Sequence, residues 1–408
     1  MKSKDIAIIG GGAAGFFAAV TAKQYNPQAR VTILERRKDV LAKVLVTGGG
    51  RCNLTNTFAL ISDLKQAYPR GSKLMKRLFK QFDCHDTWQW FEDRGLSLVA
   101  QDDECVFPVS QNAADVVGCL TSEARRLGVK VKVNQKITAI TPLDGGRIGL
   151  ACEDGSAADY DAMVVATGSP TAAFMQLFAS LEHKTETPVP SLFTFNVSES
   201  GLHQLMGVVV EARLSIPSTR LKSQGNLLVT HWGLSGPCAL KLSSYAARHL
   251  AECDYKSPLA IDWTNGRSRA EVEEALSQLS VSNPQKQMGT LRPFDLPSGL
   301  WQYLLQRTSL RVDRKWAELG RKGMNQLIET LTNDVYHIDG RGVFKKEFVT
   351  CGGIALGNID ANTMESKVCL NMYFAGEVLD VDAITGGFNL QAAWTMGYVA
   401  GKNAALKE

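Results

Sequence analysis

The 408-residue chain has no CxxC pair, no long uninterrupted apolar run, no large charge surplus and only one G-x-G-x-x-G. Each absence removes a class of function. Its nine cysteines are an odd number spread from Cys52 to Cys369. That pattern excludes a disulfide framework or zinc ribbon and predicts free thiols in a reducing cytoplasm, with no metal site. Forty-five basic residues against 41 acidic ones give a net charge of +4. Such a balance gives no general argument for nucleic acid or an anionic membrane as a partner. The longest uncharged stretch near the start, Ile6 to Ala22, imitates a signal peptide but carries four glycines within 17 residues. A bilayer span needs about 20 predominantly apolar residues, so no membrane association is expected.

What is present is a chain that is 45% hydrophobic and long enough for two or three domains. The glycines of that first stretch have a purpose. "DIAIIGGGAAGFFAAVTAKQY" reads as an apolar strand (Ile6 to Ile9), a turn with Gly10, Gly12 and Gly15, and a helix whose Phe16, Ala19 and Val20 face a sheet. In such a turn the first glycine permits the tight bend and the second lets the backbone approach a pyrophosphate. The third lets helix and strand pack closely. A second apolar strand, "RVTILE", ends in Glu35, placed to accept hydrogen bonds from an adenosine ribose. Arg36 and Arg37 read as exposed charges bordering an adenine, because Glu35 would repel a ribose 2′-phosphate.

Two later segments point back to the same crevice. "DYDAMVVATGS" runs a strand, Met163 to Ala166, into Thr167 and Gly168. "NMYFAGEVLDVDAITGGFNLQAAWTMGYVAG" gives a strand (Met372 to Phe374), then Gly376 and Glu377, then Gly386 and Gly387 opening a helix from about Phe388 to Ala400. A helix N-terminus offers free N–H groups and a positive dipole end, suited to the negative charge that a reduced flavin carries near N1 and O2. This favours FAD over NAD as the resident dinucleotide. A thiol pair of the kind that faces the flavin in disulfide reductases, C-x4-C, is absent: the residue five beyond Cys52 is Thr57.

"KVLVTGGGRCNLTN", "VFPVS", "THWGLSGP", "EFVTCGG" and "FAGEVLDVDAITGGFNLQAAWTMGYVAG" occur in this order, and with them the chain resembles the HI0933-like, BaiN-like family of NAD(P)/FAD-dependent flavoproteins, which includes an aminoacetone oxidase. The resemblance implies an α/β fold: a Rossmann-type FAD-binding domain assembled from both chain ends, with an inserted β-barrel and a small helical subdomain. The expected boundaries are 1–189 and 346–408 for the FAD domain and 190–345 for the insertion, with barrel at about 190–265 and 335–345 and helices at about 266–334. "SLFTFNVSE", "GVVVEARLSI" and "NLLVTHWG" read as strands, and 268–282 and 297–332 as helices. The chain departs from the family after A-T-G, where "ATGSPTAAFMQLF" lacks a glycine-rich loop, and at Phe348, where a small residue is usual.

Spacing and resemblance together give the expected cofactor-binding set: Gly10, Gly12, Ala13, Ala14, Gly15, Glu35, Arg36, Lys43, Gly49, Gly50, Arg51, Cys52, Asn53, Ile137, Ala166, Thr167, Gly168, Gly376, Glu377, Asp380, Gly386, Gly387, Phe388, Asn389 and Leu390. For catalysis the candidates are Arg51, Cys52 and His231. Cys52 reads as a small buried residue of a glycine turn rather than an activated thiolate. Arg51 reads as an anion stabiliser, and His231 as a structural hydrogen-bonding residue more readily than an acid–base group. In "SKLMKRLFKQF", Leu74, Leu78, Phe79 and Phe82 recur at helical spacing, so Lys73, Lys76, Arg77 and Lys80 form a solvated face and no nucleic-acid partner is expected. The expected activity is hydride transfer between a small-molecule substrate, held between domain and insertion, and FAD. With no second G-x-G-x-x-G domain, NAD(P)H would bind only transiently over the flavin. An amine or amino-ketone oxidase using oxygen and an RNA-modifying flavoprotein remain as alternatives, and no motif reports the oligomeric state.

Overall fold

A computed structural model describes residues 3–342 and 349–407. Two compact units divide the chain, one formed by residues 1–189 and 349–408 and the other by 190–348. The expected second boundary at 345/346, together with Glu347 and Phe348, lies outside the described residues.

The first unit is built on a five-stranded parallel sheet. Its order is Met372–Phe374, Ala162–Val165, Asp5–Ile9, Arg30–Leu34 and Lys130–Lys132. The central strand reads as a continuous apolar run because both its faces are covered, and Ile6, Ala7 and Ile8 are fully buried. In register, Ile8 lies beside both Ile33 and Val164, and Val164 beside Tyr373. The last strand of the chain thus joins the sheet two places from the first.

The helix Ala13–Tyr25 leaves the first strand and is buried from Ala14 to Ala22. Burial is continuous because the helix is covered by the sheet and by the final helix, Phe388–Leu406, which packs along it and also touches the strands Ala162–Val165 and Met372–Phe374. The final helix runs six residues beyond the expected end at Ala400. Gly401 is not a stop: a Cβ there would lie 2.2 Å from Ala18 O, and one at Gly397 would lie 2.6 Å from Ala14 O. These glycines let the two backbones approach closely, and Ala404 and Ala405 continue the buried face. The basic segment also forms a helix, Ser72–Leu78, with Leu74 and Leu78 buried and Lys73, Lys76 and Arg77 exposed.

In the second unit seven antiparallel strands form one sheet, from Phe195–Asn196 through Val209–Ser215 and Lys222–Thr230 to Gly340–Arg341. Helices Arg269–Ser282, Ser298–Arg307 and Arg321–Thr332 accompany it, the first capped reciprocally by Ser268 and Glu271. One apolar core, including Trp263, Trp301 and Trp316, serves both sheet and helices. Among the described residues no helix is long and apolar enough to cross a membrane.

Candidate functional site

The three glycines of the first turn are under different constraints. Gly10 adopts φ +109°, and a Cβ there would lie 2.4 Å from Ala166 O. A Cβ on Gly15 would lie 1.9 Å from Gly10 O, so this position fixes the approach of helix to turn. Gly12 differs: a Cβ would meet no atom within 4 Å, and its φ of −93° is open to any residue. The protein alone does not require glycine at 12, whereas a group lying over the helix N-terminus would. Ala13 and Ala14 begin that helix, which has no side-chain cap.

Glu35 follows the second strand, Arg30–Leu34. Its carboxylate accepts from Gly11 N at 2.7 Å and from Arg37 N at 2.8 Å, which fixes it beside the turn. Arg36 follows it, exposed. Asn134 and Gln135 donate to Arg37 O and Glu35 O, bringing the start of the strand Ile137–Pro142 to this end, with Ile137 buried.

On the opposite side Thr167 and Gly168 end the strand Ala162–Val165, just after Ala166. The Thr167 hydroxyl is buried without a partner among the described residues. Next to it lies a polar cluster that the sequence signals only in part. Glu377 accepts from Lys43 Nζ at 2.8 Å, Ser169 Oγ at 2.7 Å and Thr350 N at 2.8 Å, and Lys43 also donates to Ser169. Asp380 accepts from Gly352 N at 3.0 Å. Ser169 and Thr350 were outside the expected set, since neither belongs to a glycine turn.

Lys43 lies on a short helix, Ala42–Val46, that leads into the glycine turn Thr47–Gly50. Gly48, Gly49, Gly50 and Cys52 all have positive φ, from +58° to +86°. Such a run is accessible to glycine at little cost. Cys52 is strained for a non-glycine residue, and its N–H donates to Thr47 O at 3.0 Å. Burial pushes its thiol up to about 11, opposed by a side-chain hydrogen bond with Thr47. Cys52 therefore belongs to the turn and is not an activated thiolate. Because the folded value lies above the unfolded one of 9.0, the stability it contributes is full below pH 9 and is lost as pH rises towards 11. Native Cys52 is expected to resist alkylation at pH 8 and to react once denaturant is added, with Cys52→Ser retaining flavin and turnover. Mass spectrometry of the labelled peptide checks the first point, and fast native labelling would restore the nucleophile.

The far end of this turn meets the final helix. Gly387, at φ +86°, precedes Phe388, and a Cβ on it would lie 2.2 Å from Thr55 O and 2.7 Å from Asn53 Oδ1. Asn56 donates to Gly386 O at 3.1 Å, Tyr68 to Phe388 O at 2.9 Å, and Thr55 to Gln391 at 2.5 Å. Asn389 uses its side chain on Ala383 N and O. The helix has no side-chain cap, so the backbone N–H groups of Phe388, Asn389 and Leu390 have no acceptor among the described residues at its positive end. Below them the Arg70 guanidinium forks onto the fully buried Asp382 carboxylate. Neither residue was in the expected set.

His231 lies in the 190–348 unit, exposed in the turn after Lys222–Thr230, with its ring 4.2 Å from that of Trp232. The expected structural hydrogen bond is absent among the described residues, because the exposed ring is left to solvent.

The first unit thus brings together four chain segments: 10–15, 35–56, 166–169 and 376–390. The free space over Gly12, the orphaned Thr167 hydroxyl, the carboxylate at Glu35 and the helix start at Phe388 fit an extended dinucleotide with a flavin at the far end.

Comparison with known proteins shows the family and the fold. A family model described as the HI0933-like protein Rossmann domain matches residues 4–403. A 3-dehydro-bile acid delta(4,6)-reductase of Clostridium scindens is 28% identical, covering 98% of each chain. A ribosomal RNA dihydrouridine synthase of Escherichia coli is 27% identical over 99% of this chain and 98% of its own. Among solved structures, a 3-ketosteroid-delta4-(5alpha)-dehydrogenase from Rhodococcus jostii RHA1 aligns over 99% of this chain and 97% of its own with a TM-score of 0.53. At 14% identity that likeness concerns the fold.

Proposed function

The chain belongs to the HI0933-like family of FAD-dependent oxidoreductases, and from that premise we propose that it reduces a carbon–carbon double bond conjugated with a carbonyl, with NAD(P)H as the electron source. The observation that carries this reading is the full-length likeness to two enzymes whose names share one half-reaction. A delta(4,6) bond beside a 3-oxo group and the ring double bond of uracil are both alkenes polarised by a carbonyl, and each accepts hydride at the carbon remote from it. A small-molecule acceptor is preferred here because the basic helix Ser72–Leu78 reads as a solvated face, with Arg77 Nε donating to Asn362 at 2.6 Å.

Bound FAD supplies hydride exchange at N5. The chain's own residues hold and tune it. Gly12 leaves room for the pyrophosphate at a helix start, Glu35 takes the ribose hydroxyls, and Thr167 offers its unpartnered hydroxyl to the middle of the cofactor. The N–H groups of Phe388, Asn389 and Leu390 favour negative charge at the ring end, an effect of ~0.3–1 kcal/mol for an exposed helix terminus and more when water is excluded. Lys43 is bound to Glu377 and Ser169, so it locks the two sides of the crevice together. With no second dinucleotide turn in the sequence, the nicotinamide must reach the flavin from solvent.

Anaerobic stopped-flow mixing of the yellow protein with NADH and then NADPH tests this. The expected result is bleaching of the flavin band near ~450 nm, followed by recovery on adding a conjugated enone without oxygen. No bleaching by either nucleotide, with bleaching by an amine and peroxide released once oxygen is admitted, overturns the reading in favour of an oxidase.

A further inference from the structure

We propose that Arg51 anchors the anionic group of an otherwise apolar substrate, so that the site takes amphipathic carboxylic acids. The turn that carries Arg51 is pinned at both ends to the crevice. Upstream, Lys43 bonds Ser169 at 2.6 Å and Glu377 at 2.8 Å; downstream, Asn53 and Thr55 pack against Gly387. Arg51 stands at the rim between these two ends.

Its guanidinium is already oriented. Cζ lies 4.5 Å from the Phe107 ring centre, Nε donates to Gly48 O at 3.2 Å, and Nη1 reaches Gln111 Oε1 at 3.5 Å. Nε and Nη1 lie on different edges of the guanidinium, so stacking on the ring and these two bonds hold the group in place and leave Nη2 as the donor nitrogen with no protein partner among the described residues. No carboxylate pairs with Arg51 among the described residues, whereas Lys43 on the same rim is neutralised by Glu377. The rim thus has one compensated cation and one uncompensated cation, and the uncompensated one is held in place in advance.

The surroundings select the ligand. Leu45 and Val46, which lead into the turn, are 41% and 57% exposed, and Val109, two residues from both Phe107 and Gln111, is 58% exposed. Three exposed aliphatic side chains, near in sequence to Arg51 or to its partners Phe107 and Gln111, suit a molecule with an apolar body and a charged end. The carboxylate accepts from Nη2, and the body covers the aliphatic groups. A hydrated polyanion such as a nucleic-acid backbone would gain the guanidinium but nothing from Leu45, Val46 and Val109.

The test uses the FAD-loaded full chain and equilibrium dialysis, so no turnover is involved. Two matched pairs serve as probes: a 3-oxo-4,6-diene steroid acid with its methyl ester, and decanoate with decanol. The steroid pair rests on the proposed reduction of conjugated carbonyl compounds; the decanoate pair does not. In the native protein each acid should bind about tenfold or more tightly than its neutral partner, the range expected for a charge-assisted hydrogen-bonded pair. Arg51→Met should bring that ratio close to one, and Arg51→Lys should restore part of it. Arg51→Met that keeps the ratio, or native protein showing none in either pair, overturns the assignment. Discrimination with decanoate while both steroid probes fail to bind supports Arg51 and instead removes the steroid-like enone from the proposed substrates.

Discussion

Gly12→Val should give a folded protein that purifies without flavin. At φ −93° and ψ −169° the backbone is extended, where a β-branched residue is comfortable, and the new Cβ meets no protein atom within 4 Å. The change to the fold should stay within roughly ±0.5 kcal/mol, as for a substitution that disturbs no contact. The same side chain fills the space over the helix N-terminus where a pyrophosphate would accept backbone N–H bonds. Losing two such charge-assisted bonds, each of about 1.5–3 kcal/mol, lowers FAD affinity on the order of 10²-fold or more. Gly15→Val is the contrast: its Cβ would sit 1.9 Å from Gly10 O, so that variant should fail to fold rather than fold empty. Circular dichroism with the ratio of flavin to protein absorbance separates the two outcomes. A Gly12→Val protein carrying stoichiometric flavin would refute the placement of the cofactor.

That contrast also marks what a sequence can disclose. G-x-G-x-x-G, Glu35 after "RVTIL", and Gly386–Gly387 before the last helix were legible because each is a local rule: strand, turn and helix lie within a few residues. That both chain ends form one domain was implied by the family resemblance, with Gly376, Glu377 and the glycines before the last helix pointing to the same crevice. The bonds that tie the segments together were not legible. Ser169 meets Glu377 across 208 positions and Arg70 meets Asp382 across 312, distances at which no periodicity carries information. Gly401 shows the complementary difficulty. A glycine 13 positions into a helix reads as a stop, yet here it serves the contact with Ala18. The left-handed backbone at Cys52 is likewise invisible in the residue itself and is imposed by the three glycines and the Thr47 carbonyl around it. Chemistry was therefore readable wherever backbone geometry restricts residue type, and unreadable wherever a side chain's role is set by a partner remote in sequence.

The Arg70–Asp382 pair gives that last point an energetic consequence. Asp382 has no exposed side-chain surface and Arg70 only 12%, and the guanidinium binds both carboxylate oxygens. Burying such a pair adds little net stability, because desolvating both charges offsets their attraction. Removing one partner is different, since the other is left charged in a medium that cannot hydrate it. Arg70→Met should therefore cost about 3–5 kcal/mol. The loss should also reach the flavin end of the site. Asp382 lies five residues before Gly387, in the segment that sets the start of the final helix, and Ala383 and Ile384 after it are held by Asn389 and Ala67. If Asp382 shifts to reach water, the N–H groups of Phe388 to Leu390 shift with it. The reduction potential of bound flavin should then fall in Arg70→Met relative to the native protein, because the positive helix end no longer stabilises the reduced ring as well. Arg70→Lys, which keeps the charge but loses the fork, should fall between the two. The double variant Arg70→Met/Asp382→Leu should recover most of the stability without recovering the potential. Denaturant titration and a dye-coupled potential measurement on the four proteins read these effects separately. Equal stability of Arg70→Met and the native protein would show that the pair is not buried in solution; lost stability with an unchanged potential would confine it to holding the loop.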